Sequence, residues 1–216
     1  KIHFDRIDYH MLFFLLLTQS MGLELYTNKM CPFAQRCTIA LGLTRLEGKM
    51  VEVNLYGSSG FTKKELKKIE KEAGLEPCGY IPVLRLNEKE VMRESIACVQ
   101  RIFEEAGENY SYEEWFSDVE ESLRREGKRL VLSGQSRSEA MDSSLAQLDL
   151  ILAHNDFLDT EGPGVIDCCL LPFLWRIDQS LDLRREKFAH LANYLDRMLK
   201  KPYVQSTLVS SWWWWW

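Results

Sequence analysis

The chain has 216 residues, of which 46% are hydrophobic and 27% are charged, and its formal net charge is −5 at pH 7. These values are ordinary for a globular protein with room for one or two domains. The acidic balance argues against nucleic-acid binding, which needs a clustered basic surface. The apolar run at residues 11–17 is too short to span a membrane, so no membrane role is expected.

Both ends of the chain are expected to lie outside the fold. Residues 1–20 come before Met21-Gly22, which stands directly ahead of the first predicted strand, and they form an extension that need not belong to the natural protein. Residues 209–216 form a tail that includes the run Trp212 to Trp216. Five adjacent indoles cannot all face one core, so this tail carries no predicted function.

From residue 21 onward, strands and helices alternate along the chain. Short apolar or alternating segments predict strands, and apolar residues at helical spacing predict the helices between them. The strands are 23–26, 50–55, 80–86 and 91–93, and the helices are 32–43, 61–73 and 96–105. The order β-α-β-α-β-β-α, which begins with a βαβ unit, predicts an α/β thioredoxin-like domain over residues 21–106.

A second, all-helical domain is predicted over residues 113–208. Residues 107–112 are polar and contain Gly107, which favours a linker between the two domains. Apolar stripes predict helices at 113–132, 138–154, 165–177 and 188–200. The helix at 165–177 is almost wholly apolar, so it should be the buried one.

Cys31 is predicted to lie at the N-terminus of the first helix. Pro32 follows it, and proline is tolerated in the first turn, where its missing N–H has no intrahelical partner. The free amides and the positive end of the helix dipole favour an anion there. The thiol is therefore expected to ionise more easily than a free thiol and to act as a nucleophile, although a buried packing cysteine is the alternative.

The six cysteines do not form a disulfide framework or a metal site. No Cys-x-x-Cys pair is present, which argues against structural zinc and against a dithiol redox motif. Cys31 and Cys37 lie six residues apart and would point in different directions on a helix. We therefore expect a reduced, cytoplasmic protein that uses one thiol and holds no metal.

Two dipeptides are candidates for ligand binding. Pro82 stands at the start of a strand, where it is either an ordinary trans edge proline or a cis-proline that turns the backbone N–H and C=O of Ile81 toward a peptide ligand. Glu94-Ser95 opens a helix. Ser95 can cap that helix, and the free helix N-terminus can also receive a carboxylate while Glu94 pairs with an ammonium group.

These residues carry a resemblance to a known family. Residues 31–36 (Cys-Pro-Phe-Ala-Gln-Arg), residues 81–84 (Ile-Pro-Val-Leu) and Glu94-Ser95, in this order, resemble a cytosolic glutathione transferase of the cysteine type. The omega class is the most similar, with the lambda and dehydroascorbate reductase classes as neighbours. The resemblance covers residues 21–207 and is looser in the second domain.

The second domain departs from the family pattern at one position. Residues 164–176 resemble the family's buried helix with its N-terminal capping box, but Gly164 stands where relatives usually have Ser or Thr. Asp167 can still bond a backbone N–H near the cap. Without the other half of the box, the helix start is expected to be weaker by about several tenths of a kcal/mol.

The resemblance implies a role for each matching residue. Cys31 would form a mixed disulfide with glutathione, the co-substrate, and Ile81, held by Pro82, would pair with its cysteinyl unit. Glu94 and Ser95 would hold the γ-glutamyl end, and Lys64 or Lys63 would reach the glycyl carboxylate. Phe33 would line the site or pack in the core, and Arg36 would be structural.

The implied activity is glutathione-dependent thiol transfer or dehydroascorbate reduction. The partners would be glutathione and a small disulfide, dehydroascorbate or a glutathionylated protein, and a homodimer is possible. Two alternatives stay open at this stage. One is a non-catalytic glutathione-fold binding or channel-like protein, and the other is a conventional enzyme that conjugates glutathione to electrophiles.

Overall fold

The computed structural model describes residues 22–209 except 112, 135, 160 and 161. The predicted extension at residues 1–20 and the Trp212–Trp216 run therefore lie outside the described residues. Within the described part of the chain, no helix is both long enough and apolar enough to cross a bilayer.

A mixed five-stranded sheet forms the first half of the molecule. The strands are β1 (Glu24–Thr27), β2 (Lys49–Asn54), β3 (Phe61–Thr62), β4 (Val83–Arg85) and β5 (Val91–Met92). Their order is β3-β2-β1-β4-β5, in which β1 pairs parallel with β2 and antiparallel with β4. The helices of this half are α1 (Pro32–Thr44), α2 (Lys63–Glu72) and α3 (Ser95–Glu105). The predicted thioredoxin-like order is confirmed, with β3 as an additional edge strand parallel to β2.

The second half is helical, as predicted. Its helices are α4 (Phe116–Ser133), α5 (Glu139–Leu152), α6 (Val165–Leu181), α7 (Ala189–Leu199) and α8 (Pro202–Gln205). The described residues between Glu105 and Phe116 form no helix or strand, where a linker was predicted. The domain boundaries themselves stay a prediction.

Most of the buried apolar side chains form one core that runs through both halves. It extends from Leu25 in β1 through Ile39 in α1 to Phe173 in α6, and all three are fully buried. A smaller cluster around Tyr26 and Leu66 lies under α2. Because successive side chains of a strand point to opposite faces, Leu25 and Tyr26 contribute to different clusters.

The hydrogen bonds that cap the N-terminus of α6 differ from the expected ones. Asp167 completes its half of the box, because its Oδ2 accepts the Gly164 N–H at 3.0 Å. The other half is supplied from outside the helix by Asp159, whose Oδ2 accepts the N–H groups of Ile166 at 2.9 Å and Asp167 at 3.3 Å. A carboxylate therefore replaces the missing hydroxyl, which removes the reason for expecting a weaker helix start.

Gly164 leaves room for this substitute. A Cβ at position 164 would lie 2.5 Å from Cγ of Asp159 and 2.7 Å from its Oδ2, which is shorter than any tolerable contact. The Asp159 carboxylate can therefore cap the helix only because position 164 has no side chain.

Candidate active site

A cleft of about 600 Å³ lies where α1, α2 and α3 begin and where the chain enters β4. Its walls include six of the seven residues predicted for the site, namely Cys31, Phe33, Ile81, Pro82, Glu94 and Ser95. Five further side chains that line it carry polar or aromatic groups, namely Tyr56, Lys63, Cys78, Tyr80 and Arg93. The structure thus brings residues from across 65 positions of the sequence, Cys31 to Ser95 with both ends counted, into one cavity.

Cys31 is the N-cap residue of α1, with Pro32 in the first turn as predicted. Its backbone N–H donates to the Asn28 carbonyl at 3.0 Å, which fixes the turn before the helix. The residue is only 4% exposed. Burial therefore raises the pKa of the Cys31 thiol above its ordinary value, although the backbone N–H groups of Ala34 and Phe33 lower it. The expectation of an easily ionised thiol was wrong in its net direction, because loss of hydration outweighs the helix terminus.

Two buried guanidinium groups also act on this thiol. The positive charges of Arg176 and Arg36 both lower the pKa of Cys31, in that order, without reversing the effect of burial. Arg176 comes from α6, and its Nη1 donates to Oε1 of Gln35 and to the Pro172 carbonyl, both at 2.7 Å. Burial in turn lowers the pKa of Arg176 to about 10.

Arg36 is structural, as predicted, and its contacts reach three helices besides its own. Its Nε donates to the Cys169 carbonyl at 2.8 Å, Nη1 donates to Oγ of Ser95 at 2.9 Å, and Nη2 pairs with Glu120 at 2.6 Å. The guanidinium also lies 4.4 Å from the ring centroid of Phe173. This single side chain therefore ties α1 to α3, α4 and α6.

Ile81 and Pro82 are joined by a cis peptide bond, so the second of the two alternatives that the sequence offered for Pro82 is confirmed. Both residues line the cleft just before β4 begins at Val83. Phe33 also lines the cleft, with its ring edge-on to Phe173 at a centroid distance of 5.4 Å. Phe33 therefore both lines the cavity and packs against the core.

Glu94 and Ser95 begin α3 at the cleft. Glu94 is the N-cap with φ of 67°, a left-handed conformation that is uncommon for a residue other than glycine, and its side chain makes no capping hydrogen bond. Ser95 is the first residue of the helix rather than its N-cap, and its Oγ accepts from Arg36. The N-terminus of α3, which the sequence suggested as a binding site for a ligand carboxylate, therefore lies at the cleft and has no side-chain cap.

Lys63, rather than Lys64, is the lysine that lines the cleft. It is half-buried as the first residue of α2, with its Nζ 5.7 Å from the ring centroid of Tyr56, whereas Lys64 is exposed. Neighbouring residues of a helix are about 100° apart around its axis, so the two lysine side chains point in different directions. The lining of the cleft therefore does not support the prediction that Lys64 binds glutathione, and Lys63 becomes the candidate for that role.

Sequence reasoning missed Arg176 and Cys78. Arg176 lies 145 positions after Cys31, and no local pattern marks it as a neighbour of the thiol. Cys78 lies only three positions before Ile81, so its presence in the same cleft could have been inferred from that spacing.

Comparisons with known proteins identify the family. A model of the glutathione S-transferase N-terminal domain matches residues 25–110, and a model of the C-terminal domain of the same family matches residues 135–197. Together they match well over half of the chain. The chain belongs to the glutathione S-transferase family. No curated protein matches this glutathione transferase in sequence.

Solved structures of glutathione transferases share its fold. Omega 1C from Trametes versicolor is 18% identical, covers 88% of this chain and 92% of its own, and has a TM-score of 0.68. The tau-class enzyme from mango is also 18% identical, with a TM-score of 0.62 over 88% of this chain and 93% of its own. An enzyme from Methylobacillus flagellatus with glutathione bound is 16% identical and has a TM-score of 0.67, over 86% of this chain and 98% of its own.

Proposed function

We propose that this glutathione transferase is a cysteine-type, omega-like enzyme that transfers glutathione between thiols through a mixed disulfide at Cys31. The supporting observation is the position of Cys31, because it opens α1 in the same cleft as Ile81, Pro82, Glu94 and Ser95. The bound glutathione of the Methylobacillus relative favours glutathione as the ligand.

The cleft has a group for each part of glutathione. The backbone of Ile81 would pair with the cysteinyl unit, and the α3 terminus with Glu94 would hold the carboxylate and ammonium of the γ-glutamyl end. Lys63 would meet the glycyl carboxylate. These contacts would place the sulfur of a glutathione adduct next to Cys31.

The exchange takes two balanced steps. The Cys31 thiolate attacks the glutathionyl sulfur of a mixed disulfide R–S–SG, so a Cys31–SG bond forms, the S–S bond between the RS group and that sulfur breaks, and RS⁻ leaves and takes up a proton. The thiolate of a second glutathione then attacks the same glutathionyl sulfur. Oxidised glutathione leaves, and the Cys31 thiolate is restored with the help of the Arg176 and Arg36 charges.

One observation favours a second candidate, the conventional conjugation of glutathione to electrophiles. Because burial raises the pKa of Cys31, its thiol holds a proton near neutral pH and could donate a hydrogen bond to the thiolate of bound glutathione. In that role, a serine at position 31 would still serve as a donor.

Turnover of three substrates separates these candidates. Hydroxyethyl disulfide, dehydroascorbate and a chloro-nitrobenzene should be assayed with the wild type, with Cys31→Ser and with Cys98→Ser, a matched change in the core. Thiol transfer should fall by at least about 100-fold in Cys31→Ser only. Undiminished thiol transfer in that variant would refute the mechanism. Conjugation that survives it would support the second candidate, and binding to immobilised glutathione without any turnover would indicate a non-catalytic protein.

A further inference from the structure

Cys78 lies on the wall of the cleft and forms a cluster with Arg93, which also lines it, and with the buried Glu70. Cys78 is half-buried, and it lines the same cavity as Cys31. Its Sγ lies 3.1 Å from Oε1 of Glu70, to which the thiol donates, and it accepts from Nη1 of Arg93, also at 3.1 Å. The sulfur thus has a proton acceptor on one side and a cation on the other.

Glu70 is held in place as the acceptor. Its side chain is fully buried in α2, and its Oε2 accepts the Gly79 N–H at 2.8 Å. Arg93 pairs with the same carboxylate at 3.6 Å and is itself anchored to the Glu76 carbonyl at 2.9 Å. A nucleophile within hydrogen-bond reach of a base, with the base oriented by further groups, is the arrangement that activates thiols for covalent chemistry.

Arg93 remains charged in this setting. Its hydrogen bond with Cys78 is the main reason that the pKa of Arg93 is raised. A guanidinium beside a sulfur favours the thiolate. The contribution of Glu70 is a different one, because its carboxylate is positioned to accept the proton that the thiol loses.

The remaining thiols do not have this access. Cys37, Cys98, Cys168 and Cys169 are all 0% exposed in the core. Any disulfide reagent that enters the cleft therefore meets two sulfurs, Cys31 and Cys78.

We propose that Cys78 is a second nucleophilic thiol of the cleft, which Glu70 deprotonates and Arg93 stabilises, and that it takes up glutathione from glutathione disulfide. This inference rests on the proposed function only in that it takes the cleft to bind glutathione. The Cys78 thiolate attacks one sulfur of the disulfide, so a Cys78–SG bond forms and the glutathione disulfide bond breaks. The other half leaves as a glutathione thiolate, which takes up the proton that Cys78 lost. Cys78 is oxidised to the mixed-disulfide level, and one glutathione is released in reduced form.

The adduct can be tested without any turnover assay. The Cys31→Ser variant should be incubated with glutathione disulfide and analysed by intact mass and peptide mapping. We expect one glutathione adduct, located at Cys78, and none in Cys31→Ser/Cys78→Ser. The absence of an adduct in Cys31→Ser would overturn the proposal.

The roles of the two neighbours need a readout that altered packing alone would not move. Glu70→Gln, which keeps an acceptor for the Gly79 N–H, and Arg93→Gln are each introduced into Cys31→Ser, and the rate of adduct formation is followed from about pH 6 to 9. Each change should slow the reaction by about tenfold near neutral pH and move its pH profile upward. An unchanged profile in both variants would overturn the assignment of base and cation, and Arg93→Gln keeps this test available if Glu70→Gln does not fold.

The result is separable from that of the proposed function. A wild type without turnover, beside a Cys31→Ser variant that still carries the Cys78 adduct, would refute the thiol transferase and support the second thiol. Turnover that depends on Cys31, beside a Cys31→Ser variant without any adduct, would refute the second thiol alone.

Discussion

Cys31 is subject to opposing effects that only the folded structure makes visible. The amides at the start of α1 and the charges of Arg176 and Arg36 lower its pKa, while burial raises it by more. Its position at a helix start therefore does not make it a strongly acidic thiol. The helix terminus and the arginines instead limit the cost of forming a thiolate inside the protein.

The raised pKa predicts how the reactivity of Cys31 depends on pH. Only the thiolate reacts, so alkylation of Cys31 by iodoacetamide should accelerate about tenfold per pH unit between pH 7 and 9, without a plateau. Mass spectrometry of the peptide that contains Cys31 measures this rate separately from that of Cys78. A rate that is already constant below pH 7 would show that the amides and arginines outweigh burial.

At the scale of elements, the cap of α6 is a substitution of one chemical group for another. A carboxylate from the preceding loop bonds the N–H groups that a Ser or Thr at position 164 would satisfy. Because the Asp159 carboxylate occupies the space of the missing side chain, restoring the usual residue alone creates a clash.

This arrangement predicts strong coupling between positions 159 and 164. Gly164→Ser and Asp159→Ala should each lower the free energy of unfolding by about 1–2 kcal/mol, the first by the clash and the second by loss of the cap. The double variant should lose less than the sum of the two, because the introduced serine hydroxyl would then cap the helix. Urea unfolding of the four proteins measures the cycle, and simple additivity would contradict the shared-space explanation.

The same aspartate predicts a pH effect on stability. Burial and the neighbouring Asp167 raise the pKa of Asp159 to about 7 from the ordinary 3.8. The folded state therefore holds this proton more tightly than the unfolded state, and the associated stability is present at low pH and is lost as pH rises toward and through 7.

Asp159→Asn should remove this dependence while keeping an acceptor for the cap. The stability of the variant relative to wild type should increase by about 2–3 kcal/mol between pH 5 and 8. Chemical denaturation at the two pH values measures the difference, and titrating groups that do not interact with Asp159 cancel in the comparison. A constant difference would mean that Asp159 is ionised throughout this range.

At the scale of the whole molecule, Arg36 connects the two halves through buried charge-assisted bonds. Its removal would deprive Glu120, whose side chain is 11% exposed, of its 2.6 Å ion pair and leave the more distant Arg124, at 3.7 Å, to offset the charge. Poorly paired buried charge is costly, so such a change acts on the fold as a whole rather than on one helix.

Arg36→Met should therefore lower the free energy of unfolding by about 3 kcal/mol, with both halves still unfolding in one transition. Arg36→Met/Glu120→Gln is the matched control, and it should recover part of the loss because the isolated charge is gone. Denaturation followed by tryptophan fluorescence and circular dichroism measures both. A loss as large in the double variant as in the single one would place the cost in packing rather than in charge.

Much of this architecture could be predicted from sequence, for physical reasons. Hydrophobic periodicity located the long elements, so α1 and α2 begin and end within two residues of expectation. The short strand β3 was missed because two residues carry no alternation pattern. The cysteine, the cis-proline and the α3 start were identified because each is a local signal.

The remaining features depend on contacts between distant segments. Arg176 meets Gln35 across 141 positions, and Asp159 reaches the α6 cap from five residues ahead of Gly164, outside the spacing of a capping box. Neither contact produces a periodic pattern in the sequence from which it could be predicted. The net direction of the Cys31 pKa shift was likewise beyond prediction, because burial is a property of the assembled molecule.

The bond between Arg176 and Gln35 has a consequence for how this enzyme can be recombined. A thiol in the first half has its ionisation adjusted by a side chain that the second half contributes. A chimera that joins residues 22–106 to the helical half of a relative would keep every residue of the cleft that contains Cys31, yet it would inherit a different electrostatic environment for its nucleophile. The two halves are thus linked in reactivity as well as in packing, and they are best exchanged or engineered together.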